Sequence, residues 1–126
     1  MELLGKALTR ITADLEAELD RFEAQINSQY PVSFYVYTRG DDAIELSKIV
    51  VEKKERKSGI GTEIMEKVAK FADEKGLIVH LDPSTDHGAT SVNRLKKFYS
   101  RFGFVPNKGR NEDYRFRGGM IRHPSV

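Results

Sequence analysis

The stretch RKSGIGTEIMEKVAKFADEKG, residues 56–76, decides how the chain is read. An apolar run, AIELSKIVV (Ala43 to Val51), stands before it and a second, LIVHLDP (Leu77 to Pro83), follows. Between them, Ile64, Met65, Val68, Phe71 and Ala72 recur at helical spacing, which predicts a helix from about Ile60 to Lys75, and Gly76 fits the position just past its end. The second apolar run lacks surface-like alternation at its start, so it belongs in a sheet interior. Strand, basic glycine turn, helix and buried strand form one α/β unit. The turn brings two glycines to the start of a helix, where backbone N–H groups have no partner within the helix and the dipole favours an anion. It lacks the Gly-Lys-Ser/Thr ending of a triphosphate loop and the third glycine of a dinucleotide fingerprint. Its spacing alone leaves a plain helix-entry turn and an anion cradle both open.

Working outward, Leu4, Leu8, Ile11, Leu15, Leu19, Phe22 and Ile26 form one apolar stripe along residues 1–28. That stripe is expected to pack on a sheet in preference to a dimer seam, and Pro31 ends the helix by restricting Tyr30. VSFYVYT (Val32 to Thr38), the turn RGDD and the run to Val51 read as a hairpin over 32–51. Residues 56–83 hold the loop, helix and buried strand. A second helix, from about Thr90 to Phe102, and C-terminal strands fill 90–122, with YRFRGGMIRHP read as extended. The order α-β-β-α-β-α-β-β, in 126 residues, predicts one α/β (α+β) domain with a mixed central sheet flanked by helices.

With no cysteine, the chain offers no disulfide framework and no thiolate nucleophile. Its charged start does not read as a signal peptide and no run approaches membrane-spanning length, so a cytoplasmic protein without a membrane partner is expected. The net charge of +2 hides an asymmetry. From Arg94 onward nine Lys/Arg face Glu112 and Asp113, a balance of +7, which leaves −5 on the first 93 residues. A basic C-terminal third suits an anionic partner or a solvated surface.

The loop, followed by a buried strand and then FYSRFGF, resembles the Gcn5-related N-acetyltransferase (GNAT) family over about Ile44 to Val105. The family's Arg/Gln-x-x-Gly-x-Gly signature falls on Arg56, Gly59 and Gly61, and its Tyr-x-x-x-Gly-Phe ending on Tyr99, Gly103 and Phe104. The resemblance implies acetyl-CoA as co-substrate and no metal. Its pyrophosphate would lie on Arg56, Lys57, Ser58, Gly59, Ile60, Gly61 and Thr62. Its pantetheine arm would run along Ile49, Val50 and Val51, where the strand splays from the next one. Asn93, one residue from the family's asparagine position, and Lys97 complete the expected contacts. Lys57 stands where the family more often has glycine, and a single N-terminal helix replaces its usual strand and helix pair.

Under the same resemblance Tyr99 would protonate the departing thiolate, and Glu45 is the candidate base. The reaction is direct transfer to a primary amine, which needs positioning, an oxygen donor and a route for two protons rather than a protein nucleophile. The acceptor is expected to be a small molecule or a protein, with nucleic acid behind both and a homodimer compatible. The alternative functions are a non-catalytic protein of the same fold that binds CoA or a partner, and one that binds or modifies nucleic acid, with Tyr114 and Phe116, interleaved with Arg115 and Arg117, as stacking groups. His80 reads as a satisfied, partly buried histidine and His87 as a loop residue near the acceptor. With His123, the three show no metal-ligand spacing.

Overall fold

In the computed structural model, residues 2–55, 58–84 and 91–125 are described, with side chains from residue 13 onward except residue 53. The expected pyrophosphate contacts Arg56 and Lys57, the loop residue His87, and the stripe members Leu4, Leu8 and Ile11 as side chains lie outside that set.

The elements are α1 (Glu2–Gln29), β1 (Val32–Arg39), β2 (Ala43–Val51), α2 (Ile60–Lys75), β3 (Ile78–Leu81), α3 (Val92–Ser100), β4 (Val105–Pro106) and β5 (Met120–Arg122), with short 3-10 turns at Lys53–Glu55 and Gly109–Asn111. Their order is the one the periodicities predict. The strands form one mixed sheet in the order β1-β2-β3-β5-β4. Only β2 and β3 run parallel, joined by the α2 crossover. The buried run Leu77 to Pro83 thus yields the central strand, as its lack of alternation implies.

Strand alternation sorts the sheet into two faces. Phe34, Val36, Ile44, Leu46, Val79, Leu81 and Met120 point to one side, where they share a core with Leu15, Leu19 and Ile26 of α1, Ile64, Met65, Val68 and Ala72 of α2, and Tyr99 of α3. Burying a side chain such as Leu19 or Ile26 stabilises the fold by roughly 1.5–3 kcal/mol. Phe22 of α1 stacks on Phe71 of α2 at 4.6 Å, which locks the two helices side by side. The opposite face holds a small cluster of Ala43, Phe116 and Ile121. There Tyr35 and Tyr37 of β1 stay exposed.

The described part of the α1 stripe, Leu15, Leu19, Phe22 and Ile26, does pack on the sheet, and its polar flank does more than the periodicity predicts. Asn27 Oδ1 accepts from the Phe34 N–H at 2.9 Å, its Nδ2 donates to the Phe34 carbonyl at 2.8 Å, and Glu23 accepts from the Val36 N–H at 2.9 Å. Spaced four apart, these two side chains occupy the outer edge of β1 where another strand would pair, which protects the edge.

The C-terminal stretch departs from its extended reading. Only Met120–Arg122 forms a strand, and residues 107–119 make an irregular strap. Asn107, 4 % exposed, accepts from the Asp113 N–H at 2.6 Å and donates to the Asp113 and Phe116 carbonyls, which curls the chain back. Gly118 and Gly119 then take positive φ angles of 53° and 68°, outside any strand geometry.

Candidate functional site

β2 and β3 pair from Ala43–Ile78 to Leu46–Leu81, and there β3 ends while β2 continues to Val51. At that point the β1–β2 register shifts: Tyr35 opposes Lys48, but Val36 opposes Leu46, so Ser47 is an extra residue. A bulge bends its strand and increases the local twist. Here it lies immediately past the last pair with β3. A gap follows, as the splayed reading requires.

A cavity of about 90 Å³ opens at this gap. Its walls are Leu46, Ser47, Lys48 and Ile49 from β2, Leu81, Asp82 and Ser84 from the end of β3, and Leu95 and Tyr99 from α3. Ser91 caps α3 by accepting from the Arg94 N–H at 3.1 Å, which sets the phase that brings Leu95 and Tyr99, four apart, to the same wall. Tyr99 is 7 % exposed and held edge-on between Phe98 (5.3 Å) and Phe104 (5.9 Å). Burial pushes its hydroxyl up to about 12, so it stays protonated through neutral pH. Between the adjacent rings Phe98 and Tyr99, the tyrosine is the one at the cavity.

The start of α2 is built by two glycines with different tasks. Gly59 sits at the N-cap with φ 83° and no side chain to cap the first turn, and a Cβ there would meet nothing within 4 Å. Ser58 and Gly59 are therefore exposed beside the first-turn N–H groups of Ile60, Gly61 and Thr62. Gly61 has ordinary helical geometry, and a Cβ on it would stand 3.4 Å from Phe98 Cζ. Its role in the fold is close packing of α2 on α3, which the sequence reading attributed only to ligand approach. Ser58 closes the turn, with its Oγ and its N–H both donating to the Glu55 carbonyl at 2.6 and 3.2 Å. Val50 and Val51 are half-buried on the diverging end of β2, whereas Asn93 and Lys97 are exposed on α3 and do not line the cavity.

Glu45 faces away from that cavity. Its carboxylate accepts from His80 Nδ1 at 2.8 Å through both oxygens and lies 3.5 Å from the Arg39 guanidinium. Both residues are buried, at 8 % and 6 % exposure, so the candidate base of the sequence reading is one half of a buried cross-strand pair. His80 is indeed a satisfied, buried histidine. Burial lowers its affinity for a proton, but the hydrogen bonds to Glu45 and to the Gly118 carbonyl outweigh that, and the net direction is upward. The pairing joins residues 35 apart through the parallel register, in which Glu45 opposes His80.

In the basic third, Phe116 is buried, Tyr114 is exposed, and Arg115 is engaged by Asp42 at 2.7 Å and Asp113 at 2.9 Å. They do not form the alternating base-stacking strip of the sequence reading. Among the described residues, no group of three or more His, Asp or Glu is arranged to hold a metal ion, and no helix is long and apolar enough to cross a membrane.

The sequence matches the acetyltransferase (GNAT) domain family over residues 22–106. Among solved structures, the chain is similar to Ard1 from Thermoplasma volcanium, with a TM-score of 0.54 and 19 % identity. That alignment covers 75 % of this chain and 64 % of the other, less than two thirds of its length. At this identity the likeness is one of fold. No curated protein sequence matches the chain.

Proposed function

Because the chain belongs to the GNAT acetyltransferase family, we propose that it transfers an acetyl group from acetyl-CoA directly to a primary amine. The observation that carries this reading is the gap past Leu46 and Leu81, with the protonated Tyr99 in its wall. Acetyl-CoA supplies the acyl thioester. The first turn of α2, from Ser58 to Thr62, holds its pyrophosphate, and the open space at Gly59 is consistent with an anion approaching the backbone there. Ile49, Val50 and Val51 carry the pantetheine arm on the diverging end of β2.

Tyr99 serves as the acid. A protonated phenol in the wall of the gap has a proton to give to a departing thiolate, beside Leu46, Leu81 and Leu95 and the polar Ser47, Lys48, Asp82 and Ser84. Glu45, already engaged by His80 and Arg39, faces the other side of the sheet, so the attacking amine gives its proton to solvent water and the Tyr99 phenolate regains one from solvent. The amine arrives from that far side, with a small molecule or a protein as its bearer.

Mass-spectrometric detection of acetyl transfer to a panel of small amines and peptides tests the proposal. Turnover is expected with at least one amine, and Tyr99→Phe is expected to slow it by roughly 10²–10⁴-fold while acetyl-CoA affinity changes little. Full turnover in Tyr99→Phe would remove the tyrosine from the mechanism. Absence of any thermal stabilisation by millimolar acetyl-CoA would overturn the function itself.

A further inference from the structure

The strap formed by residues 107–119 lies on the sheet face opposite the cavity, and one buried ring fastens it there. His80 Nδ1 meets the Glu45 carboxylate at 2.8 Å, and His80 Nε2 meets the Gly118 carbonyl at 3.0 Å. Both partners are acceptors. A neutral imidazole carries a single N–H, so one of these contacts would set lone pair against lone pair, and only the imidazolium satisfies both. The ring also stacks on Phe116 of the strap at 4.5 Å and 7°. Gly119 is seated so closely that a Cβ would collide with the Leu81 carbonyl and lie 2.8 Å from His80 Nε2.

The surrounding charges are arranged for a cation at this place. Glu45 faces His80 from β2, and Asp82 lies just past the end of β3. Arg39 of β1 balances Glu45 at 3.5 Å, lies 4.9 Å over the Phe116 ring and donates to the Arg115 carbonyl at 3.1 Å. Arg115 of the strap lies on the same ring at 5.5 Å. Glu45 and His80 form the rung next to Leu46 and Leu81, whose side chains line the cavity. The fastened strap therefore stands one residue from the gap, on the side opposite Tyr99.

We propose that His80, as an imidazolium, is a positioning residue: a proton-held latch that ties the 107–119 strap to β2 and β3 and so sets the acceptor side of the gap. The acceptor-side role rests on the acetyl-transfer reading above, and the latch itself does not. Loss of the proton turns one of the two charge-assisted bonds into a repulsive contact, and the strap loosens.

Nitrogen-15 NMR of histidine-labelled protein from about pH 5 to about pH 9 tests the latch. Below the midpoint, both ring nitrogens of His80 should carry protons, and the amides of Phe116, Gly118 and Gly119 should shift with the same midpoint. A neutral ring with one bare nitrogen at about pH 6, or strap amides that ignore the titration, would overturn the proposal. In His80→Gln, amide exchange across the strap should accelerate about tenfold, as expected for losing one charge-assisted bond, and unchanged exchange counts against the latch. Should that variant fail to fold, Glu45→Gln serves: the His80 midpoint must fall, and an unmoved midpoint overturns the idea. Acetyl-CoA added to His80→Gln should still shift the amides of Ser58 to Thr62. If it shifts them in neither variant nor wild type while the titration holds, the proposed function and the acceptor-side role fail and the latch stands.

Discussion

The two faces of one rung of the sheet are held in opposite ways. On one side Leu46 and Leu81 border the cavity that Tyr99 lines with its phenol buried. On the other side, a residue earlier on each strand, Glu45 and His80 are buried as a paired carboxylate and imidazole under Phe116. The same parallel register places both sets. Burial without a partner raises the tyrosine's hold on its proton, whereas burial with a carboxylate raises the histidine's. Desolvation thus strengthens proton binding on one face, and the neighbouring carboxylate strengthens it on the other.

The largest way to break this contrast is Phe116→Ala. It strips the apolar cover from His80 and opens a cavity in the smaller cluster, at an expected cost of about 3 kcal/mol in chemical denaturation. A cost below about 1 kcal/mol would mean that the strap contributes little to the fold. The glycines of the α2 start sharpen the comparison on the other side. Gly59→Ala forces a side chain into φ 83° and should cost about 1–2 kcal/mol. Gly61→Ala presses on Phe98 from 3.4 Å with ordinary backbone geometry and should cost less than about 1 kcal/mol. Equal costs would contradict the separate tasks assigned to them.

Varying pH is the mildest perturbation. The folded-state pKa of His80 is raised, so the folded protein holds this proton more tightly than the unfolded chain does. The stabilisation is complete below the ordinary histidine value, about 6.5, and is lost as pH rises from there through the folded value. Denaturation followed across that window should show stability falling with pH, and His80→Gln should flatten that part of the slope. A wild-type slope of opposite sign would mean the buried ring is neutral.

Element order was legible because the apolar period switches cleanly between helix and strand values along the chain. Gly76 marked the end of α2 for a physical reason: it takes φ 67° and donates to the last turn. The glycine loop and Tyr99 were legible as a pattern, but choosing Tyr99 over Phe98 for the cavity depends on helix phase, which the Ser91 cap sets. The Glu45–His80 pair was not legible, since nothing local reports the register of two parallel strands joined by a helix. Residues 107–113 read as a loop, but 114–119 were misread because the alternation of YRFRGG imitates a strand, while the buried amide of Asn107 and the positive φ angles of Gly118 and Gly119 bend it. Glu23 and Asn27 carry no signal in the sequence beyond being polar positions beside the stripe. Their task appears only when the edge of β1 lies alongside them.

The central claim is that acetyl-CoA enters the gap between β2 and β3 and rests on the start of α2. Amide NMR with stepwise addition of acetyl-CoA tests it most directly. The account predicts saturable shifts at Ser58 to Thr62, Ile49 to Val51 and Tyr99, with the far edge of β1 near Phe34 and Val36 unmoved. Saturable binding that leaves Ser58 to Thr62 and Ile49 to Val51 unshifted would contradict it.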